Sequence, residues 1–363
     1  MSKILSPKNI LISLAIIGII VLSRIFFPVP LPAIILQAEV IPGLSLFGFP
    51  ITNTQVALWI AEVTVMLVGW LAVRKRELVP GRLQNALETA AEFFYNQAND
   101  LVGDRTARAM LPLAMTIFIV ILACNWWGRI PGFEAIGVIE KPHIAGVQTW
   151  KTQQLAPWLY TVTAVEGPTT TEADAKAYKA AEALGKPEED TEHHVPEYGA
   201  LLPWLRATTT DLNFTIALAL VAFVYIQYRG FKANGFRGYM HKFFNFSGFI
   251  PAFVGLLELV SEFAKIISFS FRLFGNIFAG TVLVFVMSFL LPWLVPIPFA
   301  GLEIFIGFIQ ALVFALLVIV FSAGAMESHE HHPEIPVADT DAAATAETAM
   351  DAVHHRAPKQ AHA

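Results

Sequence analysis

The apolar run over residues 251–291 constrains this chain more than any other stretch, because it holds one arginine near its middle. A charged side chain at bilayer depth costs roughly 2.5–3.5 kcal/mol on insertion scales. A guanidinium group cannot escape that cost by changing its protonation state, whereas a buried carboxylate can gain a proton and a buried ammonium can lose one. We therefore interpret Arg272 as a functional residue that needs a carboxylate partner, and its neighbours in the run do not supply one.

Composition places the chain in a membrane. Of its 363 residues, 55% are hydrophobic and only 15% are charged, whereas a soluble domain carries about 25% charged residues. The net charge of −5, without a basic cluster interleaved with aromatic residues, argues against nucleic-acid binding. No phosphate-binding glycine-rich loop occurs, so any nucleotide chemistry belongs to another subunit. We expect no cofactor or metal, and we interpret the histidines of 329–332 as incidental.

Six apolar runs are long enough to cross a hydrocarbon core of about 30 Å. They cover residues 10–27, 55–73, 110–130, 212–228, 253–290 and 299–322. Lys3 and Lys8 precede the first run, so it is either a signal peptide or a retained span, and we favour the span. The fold class predicted is an all-α integral membrane protein with five core helices and an additional N-terminal span.

Lysine and arginine between the spans predict the orientation of the chain. They concentrate in residues 74–108 and 229–242, which should be cytoplasmic, and both termini are then cytoplasmic if the first span is retained. Residues 1–50 form the first span and an outer segment, and 51–130 include an amphipathic cytoplasmic helix over 80–102. Residues 131–206 are an acidic outer insertion, interpreted as Pro/Thr-rich loop with one short helix at 172–184. Residues 207–323 are the remaining spans, and 324–363 are a disordered cytoplasmic tail.

The fifth run poses a geometric problem. A continuous helix over 253–290 would be about 57 Å long at ~1.5 Å per residue, nearly twice the bilayer core. Either it breaks near Gly275 and Gly280, or it is one helix tilted by roughly 60°, and we predict the tilted helix. Ordinary spans tilt by about 20°, so such a tilt requires a partner surface.

Other polar residues within the spans are candidate site residues, because intramembrane polar groups are functional by default. Asn276 follows Arg272 by one turn, and Glu303 and Gln310 face one way on the last span. Asp211 either caps its helix or lines an aqueous vestibule. For Asn125, a structural role and a functional role are likewise both possible. Weaker candidates are Glu62, Thr281 and Asn213. Glu62 is the acid placed deepest in the bilayer by its position, whereas Glu258, Glu262 and Lys265 are interpreted as a solvated helix end.

The motifs around these residues resemble those of subunit a of F-type ATP synthases. They are SFRLFGNIFAG at 270–280, Gln310-Ala311 followed by Phe314, and TDLN at 210–213 followed by Thr215; PGRLQN at 80–85 and NWWGRIPG at 125–132 match weaker signatures. The resemblance covers about residues 51–322. The first span and the insertion are additions to the usual core.

The resemblance implies a mechanism and partners. A ring of c subunits, each with a membrane carboxylate, would turn against the tilted helix, with Arg272 between two aqueous half-channels. Asn276, Gln310 and Glu303 would line the route, with Glu303 as the outer relay, and Asp211 and Asn125 would lie near the outer opening. Some relatives carry an acid at the place of Thr281, and others carry a histidine at that of Glu303. The expected partners are the c-ring, peripheral stalk subunit b, lipid and protons, in a bacterial inner membrane.

Two other classes of protein were considered. A secondary transporter with a charge-paired midplane site should show inverted repeats and broken helices in matching halves, and the sequence shows neither. A structural scaffold leaves the arginine in the bilayer unexplained. The sequence therefore favours a non-catalytic, proton-translocating subunit of a rotary motor.

Overall fold

A computed structural model describes residues 38–74, 81–140, 147–156, 159–173, 197–244, 248–290 and 296–327, together with a few isolated positions. The predicted first span at 10–27, the short helix at 172–184 and the tail after 327 lie almost wholly outside the described residues.

Six long helices make up the membrane part of the described chain. They are α1 (Asn53–Val73), α2 (Arg82–Val102), α3 (Asp104–Trp127), α4 (Leu212–Phe243), α5 (Phe249–Leu290) and α6 (Pro296–Met326). All except α2 are long and apolar enough to cross a membrane, which gives five candidate spans. For the membrane-spanning part of the described chain, the prediction of an all-α, multi-pass membrane protein is confirmed. The last helix runs three residues beyond the domain boundary predicted at 323.

Helix α2 is amphipathic, as predicted. Its residues Phe94 and Ala98 are buried, while most of its polar side chains are exposed. The Phe94 ring packs against Phe118 of α3, with ring centroids 5.2 Å apart. The burial of one apolar face explains why this polar sequence forms a stable helix. Its placement on the cytoplasmic surface stays a prediction.

The arginine-bearing run forms one helix. Helix α5 continues without interruption for 42 residues, a length of about 63 Å at ~1.5 Å per residue. Gly275 and Gly280 do not break it, because the hydrogen-bonded helix passes through both. The choice of one long helix over two shorter spans is confirmed, and its tilt in a bilayer stays a prediction.

Helix α4 turns sharply near its end. Gly235 has a φ of 70°, a left-handed conformation that glycine adopts without strain. The turn folds residues 236–243 back so that the ring of Tyr239 lies over Gly230. A Cβ at Gly230 would overlap that ring, so the close approach requires glycine here.

The polar insertion differs from its prediction. Instead of loop, it forms four strands, which are β3 (Gly137–Glu140), β4 (Gln148–Ala156), β5 (Leu159–Thr169) and β6 (Tyr198–Pro203). These strands form an antiparallel sheet in the order β3-β6-β4-β5. A hairpin of β1 (Val40–Leu46) and β2 (Phe49–Thr52) precedes α1. The loop interpretation was wrong because it counted threonine as a loop residue, whereas β-branched and aromatic residues suit a pleated sheet.

The apolar core lies where α3, α4, α5 and α6 meet. Small side chains alternate with large ones there, and Ala114, Ala219, Leu273 and Phe314 are all fully buried. The Phe269 ring of α5 packs against Phe314 of α6, with centroids 4.7 Å apart. The alanines let the helices approach closely, and the packing holds the middle of α5 in place.

A charged network joins α4 to the N-terminal half of α5. Glu262 is only 2% exposed, and its carboxylate accepts a hydrogen bond from Gln227 at 2.8 Å and pairs with Lys265 at 2.7 Å. Tyr239 donates to Gln227 at 2.8 Å, and Lys242 pairs with Glu258 at 2.7 Å. The interpretation as a solvated helix end is wrong for Glu262, because α4 covers its side chain.

Replacing Glu262 with alanine should lower the thermal stability of the protein. Removing one partner of a buried ion pair typically costs about 3–5 kcal/mol, because the remaining charge stays buried without compensation. The midpoint of thermal unfolding in detergent measures the effect. The matched control is Glu258→Ala, since the Glu258 side chain is 34% exposed and its loss should cost much less. Equal stability of both variants would contradict the structural role assigned to Glu262.

Candidate functional site

Arg272 lies half-way along α5 on a face that the rest of the described chain does not cover. Its side chain is half-buried, and its Nη2 donates a hydrogen bond to Ser268 Oγ at 3.3 Å. Among the described residues, no carboxylate lies within ion-pair distance of the guanidinium. Its fixed charge is therefore open to a group that is not part of this described fold.

Asn276 and Gln310, predicted as separate candidates, are in direct contact. Asn276 Nδ2 donates to Gln310 Oε1 at 2.8 Å, which joins α5 to α6 one turn from Arg272. Gln310 is buried, and its Nε2 has no hydrogen-bond partner among the described residues. A buried amide donor normally has a hydrogen-bond partner, so this group suits a water molecule held between α5 and α6.

Glu303 belongs to a second polar cluster, centred on an arginine that the sequence analysis did not select. The Glu303 carboxylate forms an ion pair with Arg129, and both side chains are less than a tenth exposed. Arg129 Nη2 also donates to Thr281 Oγ1 at 2.5 Å. Gly280 makes room for the pair, since a Cβ there would come within 2.5 Å of Glu303 Oε1. An arginine at the end of an apolar span was the available signal for Arg129.

Asn125 and Asp211 each form a buried hydrogen bond to another helix. Asn125 Nδ2 donates to the Gly307 carbonyl at 3.0 Å, and its Oδ1 has no partner among the described residues. Asp211 caps α4 by accepting from the Asn213 backbone N–H at 2.9 Å, and it also accepts from Thr54 Oγ1 at 2.9 Å. The capping interpretation of Asp211 is confirmed, and the bond to α1 is an additional role that the sequence did not reveal.

Two weaker candidates are not brought into these clusters. Asn213 has an exposed side chain, and its backbone N–H donates a hydrogen bond to Asp211. Glu62 lies on the exposed side of α1. The most buried carboxylates of the described chain are instead Glu262 and Glu303, because helix packing decides burial and sequence position does not.

The two clusters lie at different depths along α5. Thr281 follows Arg272 by nine positions, a rise of about 14 Å at ~1.5 Å per residue. One cluster holds a fixed cation with an amide pair, and the other holds a buried carboxylate with its own arginine. Within the described residues, no group of three or more His, Cys, Asp or Glu side chains could hold a metal ion.

Comparison with known protein families identifies the family of this chain. The family described as ATP synthase A chain matches residues 55–323, which include every cluster above. The chain belongs to this family. Curated relatives of the family are named ATP synthase subunit a. The one from Aliarcobacter butzleri (strain RM4018) is 29% identical over 272 residues, covering 74% of this chain and 86% of its own length.

Two further relatives agree with the family assignment. The ATP synthase subunit a of a Nitratiruptor species is 28% identical over 276 residues, and that of Helicobacter pylori (strain Shi470) is 29% identical over 274 residues. Each alignment covers 75% of this chain and 89% of the relative. As a family member with five helices suited to span a bilayer, the chain is a multi-pass membrane component of the ATP synthase complex. The secondary-transporter alternative receives no support.

Proposed function

We propose that this chain is the non-catalytic stator subunit through which protons cross the membrane and turn a c-ring. Two aqueous half-channels would meet the ring on either side of Arg272. Peripheral stalk subunit b would hold the chain still in a bacterial plasma membrane, with the sheet outside and the basic segments inside. The single observation that carries the proposal is a half-buried arginine on an uncovered helix face, with no carboxylate partner among the described residues.

The fixed charge of Arg272 accounts for proton release. A ring carboxylate that arrives protonated meets a guanidinium, and an opposite charge within about 4–6 Å favours the ionised form of an acid. The proton then leaves through the inner half-channel, and the carboxylate pairs with Arg272 until the next one arrives. The same charge repels a hydronium ion, so protons do not leak directly between the half-channels.

The second cluster accounts for proton uptake from the outer side. The Glu303 carboxylate can accept a proton and pass it toward the ring, while Arg129 and Thr281 hold the acid in position. The Asn276–Gln310 pair lies between Glu303 and Arg272 along the helices and lines the route to the ring. Asp211 and Asn125 lie toward the outer opening of this half-channel.

The uncovered face of α5 is shaped for a close partner. Small residues flank Arg272 on that face at helical spacing, and they are Ser261, Ala264, Ser268, Gly275 and Ala279. Small side chains let a second transmembrane helix approach closely. Such a surface suits ring helices that pass the arginine one after another.

A reversible cross-link tests the proposal. Cys124 is buried and is replaced with alanine, Ala279→Cys is introduced on the uncovered face, and a second cysteine is placed beside the carboxylate of the ring subunit. Oxidation should form a disulfide to the ring and stop both ATP synthesis and proton flux in vesicles holding the complete complex. Reduction should restore both activities, because the bond only prevents rotation.

The matched control is Leu273→Cys, which lies on the same helix but is fully buried. It should form no disulfide with the ring under the same oxidation. The proposal fails if the Ala279→Cys cross-link forms in full and both activities continue, or if Leu273→Cys cross-links as readily as Ala279→Cys.

A further inference from the structure

A polar cluster on the outer side of the described chain lies apart from the proposed half-channel residues. Glu39, just before β1, is half-buried, and its Oε2 accepts a hydrogen bond from Asn53 Nδ2 at 3.2 Å. Asn53 is fully buried at the start of α1 and also donates to the Pro203 carbonyl at 3.1 Å. The carboxylate is thus held where the hairpin, α1 and the end of the sheet meet.

The surroundings of Glu39 give it a proton affinity suited to neutral pH. Burial raises the pKa of Glu39 from 4.5 to about 7, against the opposing effects of the Arg206 charge and of the hydrogen bond from Asn53, while the negative charge of Glu134 raises it further. Glu39 therefore carries a proton below about pH 7 and is ionised above it. Arg206 and Glu134 are the charged groups that face it.

Glu134 connects this cluster with the membrane. Its Oε1 accepts a hydrogen bond from the Ala207 backbone N–H at 3.0 Å, and it lies within electrostatic range of both Glu39 and Glu303. The next residues form a buried 3₁₀ turn, Thr208–Thr210, in which the Thr209 hydroxyl has no partner among the described residues. Buried hydroxyls are normally satisfied, so this one suits a hydrated path between the carboxylates.

We propose that Glu39 collects protons at the outer surface and passes them through Glu134 to Glu303. This inference rests on the proposed function and extends its outer half-channel by two residues. A hydronium ion protonates the Glu39 carboxylate and leaves water. The Glu39 carboxyl then gives that proton to the Glu134 carboxylate and is ionised again, and Glu134 gives it to Glu303. Glu39 precedes residues 55–323, so its role is outside the part that the family shares.

The test varies the pH on the outer side while the membrane potential is held constant. Complete ATP synthase in vesicles should show an inflection in the rate of ATP synthesis near outer pH 7, where Glu39 gains its proton. Glu39→Gln should lose the inflection and work several-fold more slowly above it, where the wild type uses the ionised carboxylate. The difference should shrink at lower pH, since abundant protons then reach Glu134 directly.

Further variants separate a relay from a structural role. Glutamine keeps an oxygen that accepts from Asn53, so a merely structural Glu39 predicts an unchanged pH profile in Glu39→Gln. Glu39→Asp retains a titratable carboxyl and should keep an inflection.

Glu134→Gln should lose the inflection too, and the double variant of Glu39→Gln with Glu134→Gln should be no slower than Glu134→Gln alone. Glu166→Gln removes an exposed acid from the same outer domain and should behave as wild type.

The outcomes are distinguishable from those of the proposed function. An unchanged inflection in assembled Glu39→Gln, or an equal loss in Glu166→Gln, overturns the relay and leaves the rotary mechanism standing. Normal synthesis in an Arg272→Ala complex would instead overturn the proposed function, and the relay with it.

Discussion

Replacing Arg272 with alanine should abolish proton-driven ATP synthesis while the complex assembles in normal amounts. The side chain lies on an uncovered face and donates a hydrogen bond to Ser268 of the same helix, so its loss removes little that holds the fold together. Without the charge, nothing favours the ionised form of an arriving ring carboxylate, so the carboxyl keeps its proton. Direct proton leakage between the half-channels should rise at the same time, because the electrostatic barrier is gone.

Vesicles containing the whole complex allow synthesis and passive proton flux to be measured together. Arg272→Lys should be nearly as defective, because lysine replaces a planar, five-donor group with a compact ammonium. The matched control is Ser268→Ala, which removes the hydrogen-bond partner of Arg272 but keeps the charge, and which should retain most of the activity. If synthesis in Arg272→Ala equals that of wild type, the central role of this residue is refuted.

Breaking the buried pair between Glu303 and Arg129 should produce the second large effect. Arg129→Gln leaves the Glu303 carboxylate buried without its cation, and removal of one partner from such a pair typically costs about 3–5 kcal/mol. Glu303→Gln leaves the arginine unpaired and also removes the acid that we propose accepts protons. Each single variant should therefore unfold at lower temperature than wild type, and Glu303→Gln should also synthesise ATP slowly.

The double variant separates stability from transport. Arg129→Gln combined with Glu303→Gln removes both charges, so thermal stability should recover toward that of wild type, because no uncompensated charge remains. Synthesis should stay slow, since no carboxylate has been restored. A folded Glu303→Gln complex with wild-type synthesis would exclude Glu303 from the proton route, and a double variant no more stable than either single variant would argue against direct coupling of the two charges.

Much of the architecture could be predicted from the thickness of the bilayer, which sets the length of an apolar span. Spans must be about 20 apolar residues long, and the described helices match the runs predicted from that rule. The uninterrupted α5 was also predictable, because no proline interrupts its apolar run before Pro292. The polar insertion was not, since a short antiparallel sheet is specified by pairing between distant strands more than by composition.

The sequence by itself determined which residue the site needs, because a permanent charge in an apolar run has few explanations. Only the tertiary structure decided the partners. Arg129 and Thr281 are 152 residues apart and Thr54 and Asp211 are 157 apart, so no local pattern joins them. Helix packing also exposed Glu62 while it buried Glu303 beside a cation. Hydropathy reports how deep a residue lies, whereas the direction in which a side chain points, and therefore its charge partner, depends on how neighbouring helices rotate against one another.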